Sequence, residues 1–251
     1  MRRRETMALL AGVAVLMLPG CGLAGERLPD YRYRLTVEVD TPEGLRSGSS
    51  VIEVRTEMAG KFTLPDANTL AIEVTGEAVT VDLGKRGMLF ALLRSEDFLG
   101  WAGGAMNLVT PRPPNIPGEN RYAAWHARMI ANQGLHVVPR NDPDKFHPAS
   151  EPVPGPNDPP HDYPMLVRFR DIADPKSVER VDPDNVAASF GLGVKLRRIT
   201  VQLTDDLVTV GIEKRLGWLP TVYETLRGAD FHPDGVPVGD FQRLFTTKEF
   251  K

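Results

Sequence analysis

The sequence predicts an α+β, sheet-rich protein built from antiparallel hairpins with a few short helices. Apolar and polar residues alternate with a period of two along 31–39, which is the pattern of a strand with one buried face. Turn residues separate paired apolar runs at several places, as they do in hairpins. Helical spacing of apolar residues is confined to short stretches, of which 120–134 is the clearest.

Two hairpins are predicted in the N-terminal half, each with a turn rich in Pro or Gly. Their strand, turn and strand segments are 31–39, 41–44 and 52–58 for the first hairpin, and 79–83, 84–87 and 88–93 for the second. The run at 88–93 is continuously apolar, so we expect it to be buried on both faces. The N-terminal half is therefore predicted to form a β-sheet.

A helix is predicted between Asn120, a capping residue, and Gly134, a terminating residue, and we expect it to pack on the sheet. The remaining elements lie in the C-terminal half. In chain order they are a strand at 165–169, a short helix capped by Asp182 and ended by Gly191, a hairpin with strands around 199–203 and 208–212 on either side of Asp205 and Asp206, and a helix at 218–226 ended by Gly228.

Thirteen of the 22 prolines fall between Pro111 and Pro164, and nine of these lie from Pro139 onward. Proline lacks a backbone donor and disfavours helix in the residue before it, so this stretch cannot keep a regular ladder. It is either an extended linker or a long wrapped loop. We therefore divide the chain into a signal peptide at 1–20, a β-rich lobe with one helix at 21–138, a proline-rich segment at 139–164 and an α+β lobe at 165–251.

The charge balance argues against one class of partner. The formal net charge is −3, and removing Arg2–Arg4 and Glu5 with the signal takes away a net +2, which leaves −5. Non-specific nucleic-acid binding needs a cationic surface to displace counterions from phosphates, so no nucleic-acid partner is expected. Cys21 is the only cysteine, and an intramolecular disulfide is therefore impossible.

The N-terminus carries an export pattern. Arg2–Arg4 form a basic start, and Met7–Leu18 form an apolar core that is shorter than the roughly 20 residues a membrane-spanning helix needs. Small residues surround Cys21 in the stretch LMLPGCG. This end resembles a bacterial lipoprotein signal, with Leu18 and Gly20 at the expected places before Cys21.

The resemblance implies a lipid anchor on Cys21 and a membrane partner. By the usual sorting pattern, Gly22 after the cysteine favours the outer membrane of a Gram-negative bacterium over the periplasmic face of the inner one. An alternative remains open, because Gly22-Leu23-Ala24 also fits a general signal peptidase. Cleavage after Ala24 would release a soluble periplasmic protein.

Six residues beyond Cys21 are candidates for binding. His147 and His161 lie among aspartates in the proline-rich segment, but tight ligand pairs are missing, so no metal site is predicted. The Trp101 ring is either a recognition anchor or, as we favour, part of the core. Lys195, Arg197 and Arg198, with Lys214 and Arg215, form a basic cluster that would meet an acidic partner or lipid headgroups, or else form a solvated face.

Catalytic candidates are weak. Ser189 lies in AASFG, which resembles the nucleophile elbow of hydrolases, yet the serine is near the end of its predicted helix and Ala187 stands where that motif has its first glycine. His126 is predicted to be a packed or surface histidine on the helix at 120–134. No catalytic residue and no cofactor are predicted. An envelope hydrolase using Ser189 or a histidine such as His161 is kept as the alternative.

The segments YRLTVEVDTPEGLRSGSSVIEV and VDPDNVAASFGLGVKLRRITVQLTDDLVT resemble parts of proteobacterial proteins, some of them exported, that carry no transferable activity. The resemblance implies no catalytic residue. Together with the export pattern, it favours a non-enzymatic cell-envelope protein that binds another envelope protein, a glycan or a ligand, through a sheet edge or the proline-rich segment.

Overall fold

The computed structural model describes residues 26–58, 70–96, 98–140, 163–226, 233, 236 and 241–250. Within these ranges the protein has two antiparallel sheets, of six and four strands, with a few short helices. The predicted α+β, sheet-rich class is confirmed. The predicted lipid-attachment residue Cys21 and most of the proline-rich segment lie outside the described residues.

The larger sheet is built on the first predicted hairpin. Strands β2 (Tyr31–Thr41) and β3 (Gly44–Met58) pair in register from Tyr31 opposite Val54 to Thr41 opposite Gly44. Gly44 has a φ of +117°, which L side chains rarely adopt, and this explains a glycine directly after the two-residue turn. Every apolar side chain of the predicted alternation on β2 is buried, so the period-two prediction is confirmed.

Four further strands complete the larger sheet. Strands β1 (Glu26–Arg27) and β4 (Leu70–Thr75) pair with the end of β3 that is remote from the turn. Strand β10 (Lys195–Leu203) pairs with β2, and β7 (His136–Val137) pairs with β10. β4 was not predicted. Its central residues are exposed on both faces, so burial imposes no alternating pattern on its sequence.

The smaller sheet contains the second predicted hairpin, which is confirmed. Its strand order is β5 (Val79–Asp82), β6 (Met88–Ala91), β8 (Leu166–Phe169) and β9 (Val178–Arg180). The expected burial of the run at 88–93 on both faces is also found, since Leu89 and Ala91 join one hydrophobic cluster and Phe90 and Leu92 join a second. β6 is therefore part of the wall between two cores.

Each sheet takes strands from both sides of the proline-rich segment, because β10 joins β2 while β8 joins β6. The two cores therefore do not coincide with the chain segments 21–138 and 165–251. The described residues that flank the proline-rich segment lie against each other, with the Arg140 guanidinium 5.3 Å from the centroid of the Tyr163 ring.

The helices are α1 (Trp101–Gly104), α2 (Arg121–Ala131), α3 (Val186–Phe190), α4 (Val222–Leu226) and α5 (Phe241–Phe245). As predicted, the Asn120 side chain caps α2 by accepting hydrogen bonds from two backbone N–H groups, and Trp125 and Met129 pack in the larger core. The predicted end of α2 at Gly134 is wrong. The helix stops at Ala131 because Asn132 leaves helical geometry and its side chain donates to the Val109 carbonyl.

Two predictions for the C-terminal half are corrected. The predicted hairpin is wrong at its second strand, because β2 and β7 already occupy the edges of β10 and residues 208–212 instead cross to β3. There, Thr209 exchanges hydrogen bonds with Val51. The predicted helix start at Asp182 is also wrong. Its carboxylate accepts from the Asp184 N–H in a local turn, and α3 begins later, at Val186, before ending at Gly191 as predicted.

The predicted last helix is only partly helical. A 3-10 turn (Leu219–Thr221) precedes α4, and the predicted stop at Gly228 lies outside the described residues. Helix α5 was not predicted, because turn-forming residues surround it. Its Phe241, Leu244 and Phe245 are buried in the smaller core.

Candidate functional site

Three turns meet at the tip of the β2–β3 hairpin. We call residues 41–44, 84–87 and 190–193 the turn cluster. The Arg86 guanidinium holds it together, because it contacts both carboxylate oxygens of Glu43, at 3.0 and 3.3 Å, and donates to the Phe190 carbonyl at 2.9 Å. Its hydrogen bonds lower the pKa of the Glu43 carboxyl. One side chain therefore fixes three separate chain segments.

The turn cluster displays an exposed apolar residue. Leu192 is 90% exposed and stands between Gly191 and Gly193, whose φ angles are +95° and +82°. A side chain on Gly193 would crowd the Pro42 ring, so the close approach to the hairpin tip requires glycine there. Leu192 is thus presented to solvent on a loop that Arg86 and Pro42 hold in place.

A groove of about 360 Å³ opens beside the turn cluster, where β6 and β8 diverge. The two strands pair at Phe90 with Val167, but pairing stops before Met88 and Phe169. The lining comes from the end of β5, the 84–87 turn, β6, the end of β8 and the residues after it. Its described residues are Asp82, Gly84, Gly87, Met88, Phe90, Phe169, Arg170, Asp171 and Ile172. The volume is within the range of small-ligand sites.

The groove has an apolar floor and a charged rim. Its carboxylates make local hydrogen bonds, Asp82 with the Gly84 N–H and Asp171 with the Ala173 N–H, and Arg170 is paired with Glu179 at 2.9 Å. Among the described residues, the titratable groups of the lining are Asp82, Asp171 and Arg170.

Two of the three basic candidates on β10 are paired with acids on β2. Arg198 contacts both carboxylate oxygens of Glu38, at 2.8 and 2.9 Å, and lowers the pKa of that carboxyl. Arg197 lies 3.4 Å from Asp40, and Lys195 is exposed at the start of the strand. Paired surface charges of this kind form a solvated sheet face and add little to the stability of the fold.

The rest of the predicted basic cluster lies elsewhere. Arg215 is 4.0 Å from the Met88 sulfur, beside the smaller sheet. Trp101 is fully buried in the larger core, so its ring is not presented to a ligand. His147 and His161 lie outside the described residues. Within the described residues, no group of three or more His, Cys, Asp or Glu side chains is placed to hold a metal ion.

Ser189 lies on α3 and is half-buried. Its backbone carbonyl accepts a hydrogen bond from Arg168, which also pairs with Glu179 and lies over the Phe190 ring. In the part of the chain that the structure describes, no hydrogen bond joins the Ser189 hydroxyl to a base. Arg168 stabilises the end of α3 at Ser189 through its hydrogen bond to the backbone carbonyl.

His126 is a buried titratable residue on α2. The side chain is 1% exposed and meets the Tyr31 ring edge-on, with centroids 5.7 Å apart, while its Nε2 has no hydrogen-bond partner. Burial lowers the pKa of the imidazole, and the Asp30 carboxylate offsets only part of this effect. The packed interpretation from the sequence is therefore confirmed over the surface one.

His126 predicts acid sensitivity. Because its pKa is lower in the folded than in the unfolded protein, the unfolded state binds more protons as the pH falls below about 6.5. The free energy of unfolding should then decrease by up to about 1.4 kcal/mol per pH unit until the folded-state pKa is passed. Urea unfolding at pH 7.5 and 5.5 should show a smaller loss for His126→Gln than for the wild type. An unchanged loss in His126→Gln would contradict this assignment.

No protein-family model matches the sequence, and no curated protein or solved structure is significantly similar to it. In the described ranges, none of the helices is long and apolar enough to cross a membrane. Neither the turn cluster nor the groove was predicted from the sequence. One feature of the sequence points to the turn cluster: the Gly191-Leu192-Gly193 triplet after α3 places an apolar residue between two glycines that permit unusual backbone angles.

Proposed function

We propose that this protein is an exported cell-envelope protein, anchored to a membrane by lipid on Cys21, with a binding and not a catalytic role. The observation that carries the proposal is the placement of the only cysteine, directly behind a basic start and a short apolar run. A cysteine kept for the core would have no reason to occupy that position.

Two features of the fold support a binding role. The turn cluster presents the exposed Leu192 on a fixed loop, and the adjoining groove combines an apolar floor with a charged rim. These features suit an envelope protein or a glycan as the partner, because binding sites combine apolar surface with a few oriented polar groups. The hydrolase alternative that uses Ser189 loses support, since Ser189 has no base bonded to its hydroxyl among the described residues. The version that uses His161 falls outside the described residues.

Metabolic labelling tests the anchor. Cells grown with an alkyne analogue of palmitate should label the wild-type protein, whereas Cys21→Ser should carry no label. Gly25→Ser, a serine substitution four residues away that keeps the cysteine, should be labelled like the wild type. A wild-type protein that remains unlabelled and is released by osmotic shock would instead be a soluble periplasmic protein cleaved near Ala24.

A further inference from the structure

We infer that the anchored molecule stands with its β1–β4 end against the lipid headgroups and its turn cluster pointing away from the membrane. This inference rests on the proposed anchor at Cys21 and adds to it an orientation and a lipid-facing surface. Two properties of the chain carry the orientation, which are the length between the cysteine and the fold and the strand register. The ion-paired surface at the β1–β4 end is compatible with it.

The connection between the anchor and the fold is short. Strand β1 begins at Glu26, five residues after Cys21. Because a chain spans at most about 3.6 Å per residue, the Cα atoms of Cys21 and Glu26 lie within about 18 Å of each other. The start of β1 must therefore stay close to the headgroups of the lipid layer that holds the acyl chains.

The strand register places the turn cluster far from that point. β1 pairs with Glu57 and Met58 at one end of β3, whereas the hairpin turn follows Gly44 at the other end. At about 3.3 Å per residue, the 14 residues from Gly44 to Met58 span about 46 Å of strand. This length is more than twice the roughly 18 Å that the connection can span. The turn cluster can therefore lie as close to the headgroups as β1 does only if the whole molecule lies flat on the membrane.

The surface near β1 is suited to a hydrated headgroup layer. Arg27 pairs with Asp30 at 2.7 Å and Arg55 pairs with Glu53 at 2.8 Å, so this end presents charges of both signs in ion pairs. The free energy needed to remove these charged side chains from water would exceed the free energy gained from their ion pairs. This difference opposes insertion of this end into the hydrocarbon of the membrane. The exposed Leu192 lies at the opposite end. The protein therefore contacts headgroups with a polar end and presents its candidate binding surface away from the membrane.

Fluorescence transfer to a headgroup acceptor tests the orientation. The acylated protein is reconstituted in phosphatidylethanolamine–phosphatidylglycerol vesicles that carry an acceptor dye on headgroups. A donor is placed on a single introduced thiol, at Glu26→Cys beside the anchor or at Lys85→Cys in the turn cluster; both residues are exposed, and the acylated Cys21 sulfur does not react. With about 46 Å of strand between the two ends, transfer from position 26 should exceed transfer from position 85 by at least about twofold.

The outcomes separate the orientation from the anchor. Intact mass of the same preparations reports whether Cys21 is acylated. An acylated protein with equal transfer from both positions would lie flat on the membrane, and stronger transfer from position 85 would mean the reverse orientation; either result overturns the inference while leaving the proposed function in place. An unacylated wild-type protein that gives no transfer from either position, like a Cys21→Ser control, would overturn both.

Discussion

Replacing Gly48 by alanine is expected to lower the free energy of unfolding by about 3 kcal/mol, because the new methyl group would overlap backbone atoms of the other sheet. A Cβ on Gly48 would lie 2.7 Å from the Thr80 carbonyl carbon and still closer to its oxygen. Thr80 belongs to β5, which crosses β3 at this point. The two sheets touch at this point because glycine has no side chain. A change of rotamer cannot relieve an overlap with backbone atoms.

Equilibrium urea unfolding followed by tryptophan fluorescence measures this effect. Gly217→Ala is the matched control, since a Cβ there would meet no atom within 4 Å and the backbone angle is not restricted to glycine. We expect a change within about 0.5 kcal/mol for the control. Equal stabilities for the two variants would show that the sheets do not approach each other at Gly48.

Replacing Glu77 by alanine should lower the free energy of unfolding by about 2–4 kcal/mol, because it leaves one buried and one partly buried backbone donor without partners. Glu77 is 3% exposed, and its carboxylate oxygens accept hydrogen bonds from the Gly211 and Ile212 N–H groups at 2.8 and 2.9 Å. Burial raises the pKa of this carboxyl. Its hydrogen bonds to two backbone donors explain how an acidic residue is accommodated at a buried position.

A glutamine at the same position separates the effect of losing the carboxylate acceptor from the effect of losing the side-chain volume. Glu77→Gln keeps the shape but presents one amide group as a donor toward a donor, so we expect a loss smaller than that of the alanine variant. Glu57→Ala, at an exposed glutamate of β3, serves as the control and should change stability by less than about 0.5 kcal/mol. Thermal unfolding of the three variants gives the order of their stabilities. A stability of Glu77→Ala equal to that of Glu57→Ala would contradict the role assigned to the carboxylate.

The two hairpins of the N-terminal half were predictable because local alternation and turn chemistry specify them. Tyr31 and Val39 mark a strand with one buried face, and the turn at Gly84–Arg86 is contained in a few residues. The partners of β10 were not predictable from such patterns. They depend on the long-range pairing of Lys195–Leu203 with β2, and that pairing removed the open edge which the predicted strand at 208–212 would have used.

The candidate site was less predictable than the fold. The groove exists because β6 and β8 stop pairing at one end, and strand divergence leaves no periodic signal in the sequence. The fixation of the turn cluster depends on Arg86 meeting Glu43 and Phe190, which are 43 and 104 residues away in the chain. By contrast, the core position of Trp101 followed from ordinary burial preferences of large apolar side chains.

The N-terminal peptide and intact mass of the protein isolated from membranes of its native host test the proposed function most directly. We predict a chain that begins at Cys21 and carries acyl mass on that residue, and we predict that this mass is missing from Cys21→Ser. A wild-type chain that begins near Gly25 without acyl mass would contradict the anchor. A chain that retains Arg2–Arg4 would contradict export altogether.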